Sequence, residues 1–204
     1  TGSEQKGPWL ITCDHARNHV PSAMNSKSLG LPAKEMHRHI AYDIGAEGLS
    51  LALGLLLQAP VLCSNFSRLV IDPNRGEDDP TLLMKLYDGT IIPTNRHADA
   101  TEVTRRLDAY YRPYHQAYAK LATPIRAIIA IHSFTPQLKG RQPRPWEIGI
   151  LFAKDRRLAE PTIAGLQSRG DLTVGTNEPY DGHLPGDSID QHALRNGRLN
   201  ILIE

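Results

Sequence analysis

Four apolar, strand-like runs in this 204-residue chain each end in residues that are suited to chemistry. In open α/β sheets, ligands bind outside the carboxyl ends of the strands. If the four runs share one sheet, histidines, carboxylates and an arginine meet at one edge, which favours a metal-dependent hydrolase acting on an anionic substrate. The runs and the residues that follow them are 10–13 before Asp14 and His15, 69–71 before Asp72 to Arg75, 127–131 before His132 and Ser133, and 199–203 before Glu204.

The composition is that of an ordinary globular domain, with 40% hydrophobic and 22% charged residues. A net charge of +1 argues against nucleic acid or an anionic membrane as a partner. The longest apolar stretch, at 49–57, is interrupted by Gly54 and is too short to span a bilayer. We predict one domain over 1–204, in which the polar residues 1–6 are a disordered leader or remnant. Because the last apolar run stops at Glu204, we expect the natural protein to continue beyond it.

The chain has only two cysteines, Cys13 and Cys63, and both lie in predicted buried strands. We interpret them as small buried hydrophobic residues rather than as a disulfide, which predicts a reduced, cytoplasmic protein. Nine histidines make metal binding or proton transfer worth examining.

Strand-like runs alternate with helical patterns along the chain. This alternation predicts a single α/β domain whose mostly parallel, mixed sheet is flanked by helices. One predicted helix, at 33–58, is long, because apolar residues recur there at near-helical spacing. Strands are predicted at 9–13, 61–65, 68–71, 125–131, 148–152, 172–174 and 198–203, the other helices at 101–121 and 155–168, and a helical turn at 82–86.

His15 and His132 are the first candidate metal ligands. Each follows an apolar strand directly, so its side chain is held rigidly at the edge of the sheet, and neutral imidazole is the commonest metal ligand in proteins. The alternative is that each histidine ends its strand and binds a nearby carbonyl. Their corresponding positions favour a shared site.

Asp43 is the candidate third ligand, since it lies seven residues after Met36 and therefore on the inward face of the predicted helix. A buried carboxylate needs a cation or hydrogen bonds, which a metal, an arginine or a backbone network could each provide. His39 and His19 are rivals for this place, whereas Asp14 points away from His15 along the strand and is expected to be structural. The familiar H-E-x-x-H and C-x-x-C zinc signatures are absent from the sequence.

The segment 72–75 offers an arginine on a rigid turn. Pro73 ends the strand ladder, and the planar guanidinium of Arg75 matches a carboxylate, with Arg68 as a possible second charge. A surface arginine in a turn is the alternative. Asn177 and Tyr180 could bind substrate or simply order their loop.

Taken together, several ordered motifs resemble the N-formylglutamate amidohydrolase family. Its namesake reaction releases formate and glutamate late in a bacterial route of histidine breakdown, and its fold is similar to the zinc-carboxypeptidase and nucleoside-phosphorylase-like α/β proteins. The matching segments are 13–16 with 20–21, 39–45, 67–72 with 74–75, 92–93, 132–134 and 177–180.

The resemblance implies a divalent metal, with Zn²⁺ expected, held by His15, Asp43 and His132. Glu204 falls on the glutamate of the family's closing strand, where it would transfer the proton from water to the leaving amine. A small anionic N-acyl amino acid is the expected substrate. The residues expected to bind it are Arg68, Asp72, Asn74, Arg75, Ser133, Asn177 and Tyr180.

Two other functions remain open from the sequence. The chain could be a non-catalytic protein that binds a small molecule or a metal on the same fold. Phosphorylase chemistry on a nucleoside would require a phosphate cradle, and the sequence has no glycine-rich loop of that kind.

Overall fold

Six strands form a mixed sheet at the centre of the computed structural model, which describes residues 7–204. The predicted leader at 1–6 lies outside the described residues. The strands of the sheet are β1 (Trp9–Cys13), β2 (Val61–Cys63), β5 (Ala127–Ile131), β6 (Ile148–Leu151), β7 (Val174–Thr176) and β8 (Leu199–Ile203), and a separate hairpin contains β3 (Leu86–Tyr87) and β4 (Thr90–Ile91).

The order of the strands across the sheet is β2-β1-β5-β8-β6-β7. All neighbouring pairs are parallel except β6 and β8, which are antiparallel. β8 is the last strand along the chain, yet it lies between β5 and β6. As predicted, this is an α/β domain with a mostly parallel, mixed sheet.

Helices cover both faces of the sheet. Successive residues of a strand point to opposite faces, so Leu10 and Ile128 pack with one helical layer while Ile11 and Ile129 pack with the other. No helix among residues 7–204 is long and apolar enough to cross a membrane. The helices are α1 (Ala33–Met36), α2 (Ala46–Leu56), α3 (Pro93–Arg96), α4 (Ala100–Arg106), α5 (Arg112–Ala122), α6 (Ala159–Gln167) and α7 (Ser188–His192), with short 3₁₀ helices at Ser22–Met24 and Leu194–Asn196.

The long helix predicted at 33–58 is wrong, because the chain forms two helices there, α1 and α2. The non-helical segment 37–45 separates them and ends at Gly45, whose φ of +86° is a left-handed conformation that favours glycine. Asp43 therefore lies in the loop before α2, where its backbone N–H donates to the carbonyl of His15 at 2.9 Å. The helical phase was the wrong reason to place Asp43 inside, although its side chain is buried.

Two further local predictions are also wrong. Residues 68–71 form a turn rather than a strand, although Leu69, Val70 and Ile71 are fully buried. A short apolar run such as 69–71 indicates burial but does not by itself decide between strand and turn. The helical turn predicted at 82–86 is instead an irregular segment that leads into the β3–β4 hairpin.

The helix predicted at 101–121 is present, but it contains a π-helical segment at Leu107–Tyr111. Pro113 follows that segment and has no N–H to donate, which weakens regular α-helical bonding there. The backbone N–H of Arg112 donates to the carbonyl of Leu107, five residues earlier. The wider turn brings Tyr111 into the core together with Tyr114 and Tyr118.

Candidate metal centre and active-site cavity

Three buried side chains converge beyond the ends of β1 and β5. His15 and His132 follow these neighbouring strands, and their ring centroids lie 5.2 Å apart. Asp43 reaches them from its loop, so that Oδ2 lies 3.2 Å from Nδ1 of His15 and 3.0 Å from Nδ1 of His132. One potential ligand atom from each of the three residues lies within 4.8 Å of the others.

Two further carboxylates lie on the outer side of the histidine rings. Nε2 of His15 lies 2.7 Å from Oδ1 of Asp72, and Nε2 of His132 lies 3.7 Å from Oδ2 of Asp14. Asp14 also accepts hydrogen bonds from the hydroxyls of Tyr114 and Ser188. A carboxylate on the outer nitrogen of a histidine is the arrangement that orients histidine ligands at metal sites.

The hydrogen-bonding chemistry of this cluster calls for a cation at its centre. When Nε2–H of His15 donates to Asp72, the opposite nitrogen of a neutral ring carries a lone pair, and this lone pair faces Asp43. His132 presents its Nδ1 to the same carboxylate oxygen. Lone pairs and a carboxylate facing one another are stabilised by a proton or a metal ion between them.

The charges of the cluster alter its pKa values. Burial alone would raise the pKa of Asp43, but the two imidazoles hold it well below its usual range. Burial alone would lower the pKa of His132, but Asp43, Glu204 and Asp14 outweigh burial and raise it to about 9. The pocket therefore strongly favours positive charge between its carboxylates.

Arg68 contributes one positive charge to the surroundings but is already paired. Its guanidinium donates to Oδ2 of Asp72 through Nε at 3.1 Å and Nη2 at 2.7 Å, and Nη1 lies 3.6 Å from Oδ1 of Asp43. Arg68 therefore offsets only part of the negative charge of Asp14, Asp43 and Asp72.

Glu204 follows β8, on the strand beside β5, and its side chain lies against the same cavity. Its backbone exchanges hydrogen bonds with Gly149 of β6, at 2.9 and 3.0 Å. A Cβ on Gly149 would lie 2.3 Å from the carbonyl oxygen of Glu178 and 3.2 Å from Cβ of Glu204, so only glycine fits there. Burial raises the pKa of Glu204, and the imidazole of His132 opposes that rise.

A cavity of about 270 Å³ opens in front of these residues. It brings together nine of the predicted site residues, from segments that lie far apart in the sequence. These are His15, Asp43, Arg68, Asn74, Arg75, His132, Ser133, Tyr180 and Glu204.

The other two predicted site residues do not line this cavity. Asp72 lies behind His15 and Arg68 and holds both of them. The amide oxygen of Asn177 accepts a hydrogen bond from the backbone N–H of Phe152 at 2.8 Å.

The two rival histidines lie away from the three converging side chains. His39 lines the cavity, but its Nε2 lies 3.4 Å from Oδ2 of Asp88 on the hairpin side. His19 lines a separate cavity beside Phe66 and Tyr110. Among the described residues, only His15, Asp43 and His132 form such a group.

Several cavity residues were not predicted from the sequence. Tyr87 comes from the unpredicted hairpin, and Phe134 directly follows a predicted residue. Asp187 caps α7 by accepting from the backbone N–H of Asp190 at 2.7 Å, and burial raises its pKa to about 6. An aspartate followed three residues later by a second acid is a helix-start signal, which could have revealed α7 within a segment interpreted as irregular.

Comparisons with known proteins agree with this architecture. The family model described as N-formylglutamate amidohydrolase matches residues 7–204. No curated protein matches the chain. The crystal structure of gene product Atu2144 from Agrobacterium tumefaciens is similar, with 35% identity and a TM-score of 0.89 over 98% of this chain and 81% of that one. The N-formylglutamate amidohydrolase from Ralstonia eutropha JMP134 shares the fold, with 23% identity and a TM-score of 0.72 over 100% of this chain and 82% of that one.

Proposed function

The chain belongs to the N-formylglutamate amidohydrolase family and is a hydrolase of amide bonds, and from this premise we propose that it deacylates an N-formyl amino acid with a bound divalent metal, Zn²⁺ first among the candidates. N-formyl-L-glutamate is the substrate proposed, which would make the reaction a late step of histidine breakdown. The observation that carries the metal proposal is the convergence of two imidazole nitrogens on one carboxylate oxygen, with a second carboxylate behind each ring.

His15, Asp43 and His132 would hold the metal. Nitrogen and carboxylate ligands of this kind suit Zn²⁺, and three protein ligands are typical of catalytic zinc sites, which keep one position open. When bound, such a metal supplies Lewis acidity: it lowers the pKa of water from about 15.7 toward about 7 and polarises the acyl oxygen. Asp72 and Asp14 would keep the two rings in the ligating orientation.

Glu204 would serve as the general base and then as the general acid. Its carboxyl lines the cavity, and burial raises its pKa toward the range in which a carboxyl group can both accept and return a proton. We propose that it takes the proton from the attacking water and gives it to the departing amine nitrogen. The antiparallel pairing of β8 with β6 fixes its backbone against Gly149.

Arg75 would bind the carboxylate of the substrate. Its guanidinium donates only to neutral acceptors, Oγ1 of Thr81 at 3.1 Å and the carbonyl of Asn74 at 2.7 Å, so its charge is available to a ligand. The amide oxygen of Asn74 already accepts a hydrogen bond from the backbone N–H of Ser188 at 3.2 Å, which leaves its NH₂ group for the substrate. The Ser133 and Tyr180 side chains would complete the binding wall.

A cytoplasmic location also belongs to this proposal. Cys13 and Cys63 are neighbours in the β1–β2 register and remain free thiols, which supports a reducing compartment. The net charge of +1 supports a small molecule, rather than a nucleic acid, as the partner.

The test is formate release from N-formyl-L-glutamate by the purified protein, measured before and after chelator treatment and after zinc is restored. We expect activity that the chelator removes and zinc restores, together with one metal ion per chain by elemental analysis. Activity that survives complete metal removal would overturn the metal proposal. Stoichiometric metal without hydrolysis of any N-formyl amino acid would favour the non-catalytic binding protein instead.

A further inference from the structure

Arg144 carries a guanidinium that contacts the cavity wall but no carboxylate. Its Nη1 donates to the carbonyl of Thr135 at 3.0 Å. Its Cζ lies 5.4 Å from the ring centroid of Phe134 and 5.0 Å from that of Tyr180. Within residues 7–204, no acidic side chain lies within the 4.0 Å of an ion pair with Arg144.

The three groups that Arg144 contacts all belong to residues that line the cavity. Phe134 and Thr135 lie on the loop after β5, whereas Tyr180 lies on the loop after β7. Arg144 therefore joins two loops of the wall and stands one aromatic ring away from the space that the substrate would occupy. A guanidinium above aromatic faces is stabilised there and keeps its charge.

The guanidinium groups around the cavity differ in how they are paired. Arg68 is neutralised by Asp72, so it has little charge to offer a ligand. Arg75 and Arg144 have neutral partners only among the described residues. Arg75 lines the cavity and Arg144 lies directly behind its aromatic wall, so two guanidinium groups without an acidic partner lie near the substrate's space. An N-acyl amino acid with an uncharged side chain presents a single carboxylate.

We propose that Arg144 determines specificity for the substrate's side chain, by favouring one that ends in a second carboxylate. This inference rests on the proposed function. Arg75 then binds the carboxylate beside the scissile amide, and Arg144 attracts the distal carboxylate at the wall formed by Phe134 and Tyr180. Matched opposite charges provide specificity in this way because the wrong ligand leaves a charge without its partner.

The first measurement compares kcat/KM for N-formyl-L-glutamate and N-formyl-L-glutamine in Arg144→Met, Arg144→Lys and the wild type. We expect Arg144→Met to lower the preference for the glutamate substrate about tenfold or more, the usual size of a lost charged contact. Arg144→Lys should retain part of that preference, since it keeps the charge but loses the planar stacking. Arg141→Met is the matched control, because Arg141 is an exposed arginine on the same loop with no contact to either ring.

The second measurement is binding, by calorimetry, of N-acetyl-L-glutamate and N-acetyl-L-glutamine to the same proteins. The glutamate compound should bind more tightly to the wild type and to Arg141→Met, and Arg144→Met should lose this difference. If Arg144→Met weakens both compounds equally, or neither, the inference is overturned, because Arg144 then only supports the wall. If the binding preference behaves as expected but no formate is released from either substrate, the proposed function fails, and only the preference of Arg144 for a ligand with a second carboxylate is supported.

Discussion

Two pairs of buried histidines in this molecule have opposite surroundings. His15 and His132 both face Asp43 and have further carboxylates behind them. His115 and His192 instead face each other, with Nδ1 of the first 2.8 Å from Nε2 of the second. Nε2 of His115 lies 3.0 Å from the carbonyl of Pro73, so its N–H donates there and its Nδ1 accepts from His192.

The two environments shift the pKa values of the histidines in opposite directions. Burial lowers the pKa of His115, and burial together with the neighbouring His115 lowers that of His192 to about 4. The carboxylates around His132 have the opposite effect on its pKa. The carboxylates around the first pair favour positive charge there. The second is a neutral hydrogen-bonded pair stacked on Tyr118, whose ring centroid lies 4.1 Å from that of His192. Burial of histidines alone therefore does not identify a metal site.

The largest expected effect comes from Asp43→Asn. Replacing the carboxylate on which both rings converge should abolish stoichiometric metal binding and lower kcat/KM for N-formyl-L-glutamate by more than about 100-fold, the upper end of what loss of an outer partner costs. His192→Gln is the matched control at the other pair and should keep both properties. Elemental analysis and formate release measure the contrast. Equal losses in the two variants would erase the distinction between the pairs.

A smaller effect is expected from the carboxylates behind the rings. Asp72→Asn should weaken zinc affinity by about 10- to 100-fold, because His15 loses the partner that fixes its ring. Asp14→Asn should cost less, since Asp14 lies 3.7 Å from His132, against 2.7 Å between Asp72 and His15. Competition with a chelating dye measures both affinities.

A control is needed because Asp72→Asn also leaves the buried charge of Arg68 without its partner, which destabilises a fold. The double variant Arg68→Met/Asp72→Asn removes that charge and should show the same loss of zinc affinity. If the double variant regains full affinity, Asp72 acts through Arg68 rather than through His15.

The neutral pair of His115 and His192 should make the stability of the protein decrease in acid. The folded-state pKa of His192 lies below its ordinary value of 6.5, so the unfolded chain binds protons first as the pH falls. Above pH 6.5 His192 should not lower the free energy of unfolding. As the pH falls from 6.5 toward 4, protonation of the unfolded chain should lower the free energy of unfolding, by roughly 1–2 kcal/mol at pH 5. His192→Gln keeps a donor for His115 and should flatten this part of the profile. Urea titrations of the two proteins between pH 7 and 5 measure this. The assignment would be contradicted if the free energy of unfolding fell equally with pH in both proteins.

The smallest effect is expected for His115→Gln on catalysis. His115 contacts Pro73, His192 and neighbouring tyrosines but does not line the cavity. Its replacement should lower thermal stability by the order of one hydrogen bond, about 1 kcal/mol, and leave kcat/KM within about threefold. A large loss of activity with unchanged stability would mean that the second pair takes part in the reaction after all.

The class of fold could be predicted because strand and helix periodicity are local properties of the sequence. β1 matches its prediction at both ends, and the other five strands of the sheet were also predicted, with shifted ends. The break at Gly45 was missed, since an apolar spacing continues across it and glycine is tolerated in helical patterns. The π-helical segment before Pro113 was also missed.

The candidate site was predictable where strand ends carry chemistry, as at His15, His132 and Glu204. Asp43 was chosen for a helical phase that does not exist, yet the loop before α2 delivers it to the same place. Nothing in the sequence indicates that Asp72 faces His15, or that Arg144 contacts the ring of Tyr180, since each contact joins segments far apart in the chain.

The position of β8 determines the order in which the sheet can assemble during synthesis. β1, β2 and β5 can pair as soon as they leave the ribosome, but β6 and β7 join them only through β8, which is synthesised later. Until then the edge of β5 stays open and the β6–β7 pair has no anchor, so a nascent chain exposes strand edges that can pair with the wrong neighbour. The same strand carries Glu204 to the cavity. The residue proposed as the catalytic base therefore reaches the cavity only when the sheet is complete.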